Sequence, residues 1–249
     1  MKRFAIFIFG MFFATLAHAE TVNLSWYVDN QVYQTSTCET GGNVTPPTAP
    51  TKKGYTFQEW LAYIPIEYIE STGTQTIRID DISAYDFDNI RMYVKWEQTG
   101  TPVTNYAGVV LLYNNENTNT YRILANEKKT GEYYANGNSI AGGGGAIVNA
   151  AMNIVHECLM QNGSVVIDGK IYTTSSKGQT LTSDNIFLML NGFVGRIYNF
   201  WLSIDGVLRY DMIPVLDGND TPCLYDKVTK QFFYNQGTGQ FIAGPVLTE

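Results

Sequence analysis

Three pairs of closely spaced acidic side chains that could act as an acid and base lie between residues 67 and 88. They are Glu67 and Glu70, Asp80 and Asp81, and Asp86 and Asp88. A glycosidase needs two carboxylates that flank the scissile bond, about 5 Å apart for retention and further apart for inversion. Only Asp86 and Asp88 have the spacing of two that places side chains on one face of a strand, and their Ser-Ala-Tyr-Asp-Phe-Asp-Asn segment is typical of a solvated loop. We therefore expect no catalytic pair, with a polysaccharide hydrolase as the alternative.

The same segment suggests one cofactor. Carboxylate and amide oxygens are the ligands that Ca²⁺ prefers. Asp80, Asp81, Asp86 and Asp88, with Asn89 beside them, could supply such oxygens. The sequence predicts no other cofactor, so calcium is the one metal hypothesis.

The N-terminus has the pattern of a secretory leader. A basic start, Met-Lys-Arg, precedes an apolar run over residues 4–16, and Ala17-His18-Ala19 is a small-x-small cleavage site. The apolar run is shorter than the roughly 20 residues that span a bilayer. No cysteine follows the cleavage site for acylation. We expect residues 1–19 to be removed, and the protein to be exported as a secreted, cell-surface or periplasmic chain with no membrane span.

Charge and histidine content narrow the possible chemistry. Without residues 1–19 the chain has 14 basic and 23 acidic residues, a net charge of −9, and His156 is its one histidine. No stretch concentrates Lys and Arg as nucleic-acid binding requires. A zinc site with several histidines is excluded, and any Ser-His or Cys-His nucleophile would need His156. His156 shares one face of an expected strand over 153–161 with Ile154, Cys158 and Met160, which favours a structural role.

Three cysteines cannot all pair with one another. Export permits disulfides, and Cys38, Cys158 and Cys223 allow three single bridges. We favour Cys158 with Cys223 because both fall in the larger expected domain. The alternative is that all three remain small buried thiols.

Aromatic and amide side chains suggest a binding surface. The sequence contains 17 Tyr and 4 Trp among many Asn and Thr residues. Aromatic faces can stack on sugar rings while amides bond to hydroxyls, although sandwich cores also use aromatics. We expect Trp96 and Trp201 in the core. The candidate platform lies beside Asn-rich loops and comprises Tyr113, Tyr121, Tyr133, Tyr134, Asn114 and Asn136.

Periodicity predicts strands throughout the chain after the leader. Residues 90–97 alternate, with Ile90, Met92, Val94 and Trp96 on one face and Arg91, Tyr93, Lys95 and Glu97 on the other. Asp168-Gly169 and Asp205-Gly206 each separate two apolar runs and supply the positive φ values of a two-residue hairpin turn. No convincing helical period appears. Many short strands at this spacing predict an all-β sandwich or barrel.

Residues 20–64 resemble one repeat of the internalin B type. Residues 50–57 read Pro-Thr-Lys-Lys-Gly-Tyr-Thr-Phe, and Trp60 follows, which matches the P-T-x-x-G-Y-T-F-x-G-W signature except for Glu59. The resemblance implies a small β-rich adhesion or spacer module of a bacterial surface protein, with no catalytic residues.

Residues 65–249 resemble the concanavalin A-like, laminin G-like domains of exported bacterial and phage proteins. Glu-Tyr-Ile-Glu-Ser-Thr-Gly-Thr-Gln at 67–75 is similar to their opening strand. The segments 195–200, 205–215, 224–228 and 232–239 occur in the order that the group shows. The resemblance implies an antiparallel jelly-roll β-sandwich, a fold shared by lectins, glucanases and adhesion modules, so it does not choose the function.

These observations predict a non-enzymatic binding or adhesion protein. Its expected partner is carbohydrate or another surface polymer, or alternatively a protein, with no nucleic acid. The other hypotheses are the jelly-roll hydrolase and a purely structural or protein-binding spacer. The sequence predicts no particular oligomeric state.

Overall fold

The computed structural model describes most of the chain. The residues it describes are 2–9, 21–28, 31–39, 44–80, 89–104, 107–113, 120–125, 132–139, 146–161, 163–173, 185–190 and 192–247. Within these ranges there is no α-helix, so none that could cross a membrane. The fold is all-β, as the sequence predicted.

The described residues form twenty strands. In chain order they are β1 Lys2–Phe9, β2 Thr21–Val28, β3 Gln31–Glu39, β4 Tyr55–Pro65, β5 Ile69–Thr72, β6 Ile77–Ile79, β7 Ile90–Gln98, β8 Ala107–Tyr113, β9 Thr120–Ala125, β10 Glu132–Ser139, β11 Ala146–Asn149, β12 Val155–Gln161, β13 Ser164–Ile167, β14 Lys170–Thr173, β15 Asn185–Leu190, β16 Val194–Ile204, β17 Val207–Asp217, β18 Pro222–Asp226, β19 Gln231–Phe233 and β20 Ile242–Ala243.

The strands assemble into two sheets. The large sheet has the order β14-β13-β12-β7-β16-β17-β4-β1-β2-β3, with β18 and β19 continuing from β17, and β5 and β20 from β16. The small sheet has the order β11-β10-β9-β8-β15-β6. Among the described strands every pairing is antiparallel except that of β1 with β4. The result is a predominantly antiparallel β-sandwich.

One apolar core lies between the two sheets. The inward residues of β7, namely Ile90, Met92, Val94 and Trp96, are all fully buried, as their alternation predicted. They belong to the same buried cluster as apolar residues of the small sheet. Burial of this kind contributes about 25 cal/mol per Å² of apolar surface, so the shared core holds the two layers together.

Two of the hairpins form at the predicted Asp-Gly turns. Asp168 and Gly169 have φ values of 49° and 78° and join β13 to β14. Asp205 and Gly206 have φ values of 52° and 73° and join β16 to β17. Consecutive positive φ values match the right-handed twist of the flanking strands, which explains the use of Asp-Gly at both places.

The N-terminal strands extend the large sheet. β4 pairs with β17 through Tyr63, Ile64 and Pro65, so this strand crosses the expected boundary between residues 64 and 65. β1, within the expected leader, lies between β2 and β4. Trp26 is fully buried, and its ring meets that of Trp60 edge to face at 4.8 Å between centroids. This aromatic contact connects β2 to β4.

The side of the large sheet that faces away from the core has two chemically different ends. We call this side the outer face. Its polar end lies on β5, the residue just before it, β7 and β16, and comprises Tyr68, Glu70, Tyr93, Lys95, Glu97, Arg196, Tyr198 and Trp201. Its apolar end lies on β4, β17, β18 and β19 and comprises Tyr63, Ile213, Val215, Cys223, Tyr225 and Phe232.

Candidate functional site

The polar end of the outer face is centred on a row of three charged side chains. In the strand register Arg196 of β16 lies opposite Glu70 of β5 on one side and Glu97 of β7 on the other. The Arg196 Nε donates to Glu70 Oε2 at 2.9 Å, and its Nη1 donates to Glu97 Oε2 at 3.0 Å. Register alone aligns the three residues, so the backbone of the sheet sets the geometry of this row.

Three further side chains hold the row in place. Tyr198 donates its hydroxyl to Glu97 at 2.7 Å, and Thr99 donates its hydroxyl to Glu70 at 3.0 Å. The guanidinium carbon of Arg196 lies 4.3 Å from the centre of the Tyr68 ring, a cation-π contact. The rings of Tyr68 and Tyr198 meet edge to face at 5.4 Å. Every charged group of the row is therefore held by at least two contacts.

The packing around the row raises the pKa values of two side chains. Burial by itself lowers the pKa of Arg196, but hydrogen bonds to Glu70 and Tyr198 outweigh it, so the pKa lies above its usual value. Burial, and then the hydrogen bond to the Glu97 carboxylate, raise the pKa of Tyr198. Both groups therefore keep their protons at physiological pH, and Arg196 stays cationic between its two acidic partners.

A stacked aromatic pair lies further along the same face. Tyr93 of β7 and Trp201 of β16 are cross-strand neighbours, and their rings are 5.7 Å apart between centroids and inclined by 7°. Both side chains are half-buried. Burial, and next the charge of Glu157, raise the pKa of Tyr93 to about 12. The pair thus offers neutral, partly exposed aromatic surface on the same face as the charged row, with Lys95 between them on β7.

The position of Trp201 corrects the expectation that it lies in the core. The β16 register shifts between Ile197 and Asn199, which marks a β-bulge. Ile197 points inward before the bulge, and Phe200 and Leu202 point inward after it. Because one extra residue reverses the phase of the alternation, Trp201 emerges on the outer face. Trp96 lies on β7, which has no extra residue at this point, and it is fully buried as predicted.

The two carboxylates of the polar end are not arranged as an acid and base pair on either side of an open space. Arg196 lies between the carboxylates of Glu70 and Glu97 and bonds to both. It therefore occupies the space in which the substrate of an acid and base pair would have to lie. Arg196 and Glu70 remain partly exposed on the same face as the half-buried rings, whereas Glu97 is buried.

Tyr133 is not a surface platform, and this prediction is wrong. Its side chain is fully buried between the sheets, its hydroxyl donates to Gln98 Oε1 at 2.6 Å, and its ring meets Trp96 edge to face at 5.8 Å. Alternation along β10 turns Tyr133 and Ala135 into the core together. Burial raises the pKa of Tyr133, so its hydroxyl acts as a neutral donor in the core.

The other platform residues fall outside the described side chains. Tyr113, Tyr121, Tyr134 and Asn136 belong to β8, β9 and β10 by their backbones, but their side chains are not described, and Asn114 lies outside the described residues altogether. For these five residues the sugar-binding role stays a prediction.

The calcium hypothesis rests mainly on residues outside the described ranges. Asp81, Asp86 and Asp88 are in that group. Asp80 is described: its Oδ1 accepts from Arg78 Nε at 2.6 Å, and Arg78 also contacts Asn185 Oδ1. Within the described part of the chain no three His, Cys, Asp or Glu side chains are grouped to hold a metal. Asp80 therefore has an arginine as its partner, and calcium stays a prediction.

The preferred disulfide is wrong, because Cys158 and Cys223 are both free thiols. Cys158 points into the core between the sheets, whereas Cys223 lies in the apolar end of the outer face. The large sheet itself separates them, so no bridge can form. Burial raises the pKa of both thiols, that of Cys223 to about 12, which makes them unreactive. Cys38, on β3, is free and half-buried.

His156 occupies a buried position on β12, with 4% of its surface exposed. Its Nδ1 lies 2.6 Å from Asp168 Oδ2 and its Nε2 lies 2.8 Å from the carbonyl oxygen of Ala151. Both partner atoms are oxygens that only accept, so both contacts can be hydrogen bonds only when each ring nitrogen carries a proton. Asp168 also accepts from the backbone N–H of Glu157. His156 thus connects β12 to the turn between β13 and β14, in agreement with a structural role.

The sequence contained partial signals for the polar end. Alternation over 90–97 already placed Tyr93 and Glu97 on the face opposite Trp96, and Glu70 lay among the acidic pairs considered. Nothing in the sequence connected them with Arg196, which is 126 residues from Glu70 and 99 from Glu97 along the chain. The strand pairing supplied that connection.

Comparison of the chain with known proteins identifies no family. No protein-family model matches the chain, and no curated protein matches it.

Proposed function

We propose that this protein is an exported, non-enzymatic binding protein that recognises carbohydrate, or a comparable hydroxyl-rich surface polymer, through the polar end of its outer face. The observation that carries the proposal is that the row of Glu70, Arg196 and Glu97 lies on the same face of the sheet as the stacked rings of Tyr93 and Trp201. Fixed carboxylates accept from adjacent hydroxyls, the guanidinium donates to a ring oxygen, and aromatic surface packs on the apolar faces of sugars.

The arrangement favours affinity through preorganisation. The charged side chains already have protein partners, so binding costs little further side-chain entropy. The row carries one positive and two negative charges, and Lys95, on the same face, is paired with Glu157. The mature chain is acidic as well, so neutral or basic polymers fit this surface better than acidic ones such as uronic-acid chains.

The finer features of the proposal come from the resemblances in the sequence. The sandwich is proposed to be a concanavalin A-like jelly roll over residues 65–249, preceded by an internalin B-type module over 20–64 and a leader over 1–19. Removal of the leader would take β1 out of the sheet, so β2 and β4 of the mature chain would then have to pair with each other or with another strand.

Retention on insoluble polysaccharides and on a glycan array tests the proposal. The decisive variant is Tyr93→Ala with Trp201→Ala, and the control is Val228→Ala, which removes an apolar side chain of 41% exposure in the turn between β18 and β19. We expect the wild type and the control to be retained on the same glycans and the double variant to be released. Absence of binding by the wild type, or equal retention of all three proteins, would contradict the proposal.

The same preparations separate the two other hypotheses. Release of soluble sugar from β-glucan that is abolished by Asp86→Asn or Asp88→Asn would support the hydrolase. A protein ligand identified by crosslinking, together with no sugar affinity, would support the spacer.

A further inference from the structure

A single line of apolar side chains crosses the outer face from β14, at the end of the large sheet, to β16. In the strand register each of these residues lies directly opposite the next. In spatial order they are Ile171, Val166, Leu159, Tyr93 and Trp201. Ile171 is 69% exposed, and the other four side chains are half-buried. Directly opposed side chains are about 5 Å apart, so this line, which we call the stripe, is a continuous surface.

Hydrogen-bonding side chains border the stripe on both sides. Two residues along each strand, toward the turn between β12 and β13, the register aligns Thr173, Ser164, Gln161, Arg91 and Ser203. Two residues in the other direction, it aligns Glu157, Lys95 and Asn199. These side chains carry hydroxyl, amide and charged groups that donate and accept hydrogen bonds. The stripe is therefore an apolar line between two polar borders.

The dimensions of the stripe indicate the shape of its occupant. Residues on one face of a strand are about 6.7 Å apart along it, so the stripe is one side chain wide. Neighbouring strands are about 4.8 Å apart, so the five strands give it a length of about 19 Å. Protein partners usually meet in a broad patch with an apolar centre and a polar rim. A long, narrow stripe with a polar border on each side fits one extended chain better.

The charges beside the stripe are mostly neutralised. Lys95 Nζ lies 3.5 Å from Glu157 Oε1. On β17 the residue opposite Trp201 is Asp211, which forms an ion pair of its own with a lysine. Arg91, which is exposed, contributes most of the remaining charge. One cation is a weak attraction for a highly charged polymer, so a neutral chain fits the stripe better.

We propose that the stripe binds one extended chain of a neutral, β-1,4-linked sugar polymer that lies across the strands of the large sheet. This inference rests on the proposed function and names the class of polymer. The apolar faces of the sugar rings pack on the stripe, and the hydroxyl groups at the ring edges bond to the two polar borders. The β-1,4 linkage keeps the chain extended over the whole length of the stripe.

The twist of the sheet favours a single chain over the flat face of a crystalline polymer. Neighbouring strands of a sheet are rotated by about 20–25° relative to each other, so the stripe turns as it crosses five strands. A free chain can rotate at each glycosidic linkage and follow this turn, whereas chains fixed in a crystal cannot. Soluble or loosely packed chains should therefore contact more of the stripe.

Calorimetric titration with oligosaccharides of two lengths tests the inference. The probes are the disaccharides and hexasaccharides of β-1,4-linked glucose, mannose and N-acetylglucosamine. A disaccharide can cover Tyr93 and Trp201 but not the whole stripe, so at least one hexasaccharide should bind about tenfold more tightly than its disaccharide. Equal affinities for the two lengths, or no binding of any probe, would overturn this inference. The proposed function would still stand if the protein were retained on other glycans of the array, and it would fail as well only if no glycan retained the protein.

Two conservative substitutions test the part of the stripe far from Tyr93 and Trp201. Val166→Thr with Ile171→Thr keeps β-branched side chains but replaces apolar surface with hydroxyl groups. This variant should lower the hexasaccharide affinity about tenfold and change the disaccharide affinity less than about twofold. The control is Ile147→Thr, which changes an isoleucine of 55% exposure on β11, at the end of the small sheet, and should change neither affinity.

Circular dichroism verifies that both variants are folded. Unchanged hexasaccharide binding by the variant with both threonines, or an equal loss in the control, would overturn the inference. Self-association of the wild type that the same two substitutions abolish would also overturn it, because the stripe would then bind a second copy of the chain.

Discussion

Each end of the outer face contains a pair of stacked aromatic rings, but the two pairs have different surroundings. At the apolar end Tyr63 and Tyr225 are 4.7 Å apart, and Tyr225 is fully buried beside Val215 and Cys223. At the polar end Tyr93 and Trp201 are 5.7 Å apart and only half-buried. Stacking alone therefore does not distinguish a stabilising cluster from a binding surface. The neighbouring side chains decide whether water reaches the rings, and the binding role is proposed for the end where it does.

The difference predicts that mutations at the apolar end lower stability, whereas those at the polar end lower ligand binding. Tyr225→Ala should give the largest effect. It removes a fully buried ring that contacts both Tyr63 and Phe232, and loss of a large buried aromatic costs about 3–5 kcal/mol in the free energy of unfolding. Urea denaturation measures the loss. Ligand binding per folded molecule should not change. A loss of unfolding free energy below about 1 kcal/mol, which is typical of a surface substitution, would show that the apolar end is not a core.

Arg196→Met should affect both properties. The methionine keeps the aliphatic stem but leaves Glu70 and Glu97 without their cation, and removal of one partner from a partly buried network costs about 1–3 kcal/mol. Arg196→Lys keeps the charge without the two-pronged geometry and should restore part of the stability but little of the retention on glycans. If Arg196→Lys behaved as wild type in both assays, the oriented guanidinium would not be required.

Trp201→Ala should have the opposite effects to Tyr225→Ala, namely a small loss of stability and a large loss of ligand binding. A half-buried ring contributes about 1 kcal/mol to stability through stacking and partial burial. Its removal should nevertheless reduce polysaccharide retention strongly, because it forms the most extended aromatic surface of the polar end. Thermal unfolding and retention measured on one preparation separate the two effects. A large loss of stability with unchanged retention would place Trp201 among structural residues only.

Substitution of Asp217, beside the apolar end, should give the smallest loss of stability. The size of this loss should depend on pH. Burial raises its pKa, but the backbone N–H groups of Thr221 and Asn219 and the Tyr234 hydroxyl outweigh burial, so the pKa lies below its usual value. A carboxylate with a lowered folded pKa contributes stability that is present above its unfolded pKa of about 3.9 and is lost as the pH falls through the folded pKa.

Asp217→Asn should therefore be less stable than wild type at neutral pH, and the two unfolding free energies should converge in acid. Urea midpoints measured from neutral pH downward check this expectation. A constant difference across the whole range would mean that the charge of Asp217 is not what stabilises the turn between β17 and β18.

Several features were predictable because they depend on near neighbours in the chain. The inward residues of β7 follow directly from the strand period of two, and the Asp-Gly turns follow from the positive φ values that a two-residue hairpin needs. That Tyr93 and Glu97 lie on the face of β7 opposite to Trp96 was predictable for the same reason. These features would hold in any antiparallel sandwich with this sequence.

The errors arose where distant segments or a single backbone irregularity decided the outcome. The bulge after Ile197 moved Trp201 to the outer face, although the alternation before it pointed the other way. Tyr133 followed the alternation of β10 into the core despite the Asn-rich surroundings that suggested a surface. Cys158 and Cys223 lie on opposite sides of the large sheet, which spacing along the chain does not reveal.

Local pattern was thus sufficient for the β class, many of the strands and two of the turns, because side-chain period and turn conformation are properties of a few consecutive residues. The meeting of Glu70, Arg196 and Glu97 needed the folded sheet. Strand order and register bring together residues about a hundred positions apart, and these depend on how the whole core packs.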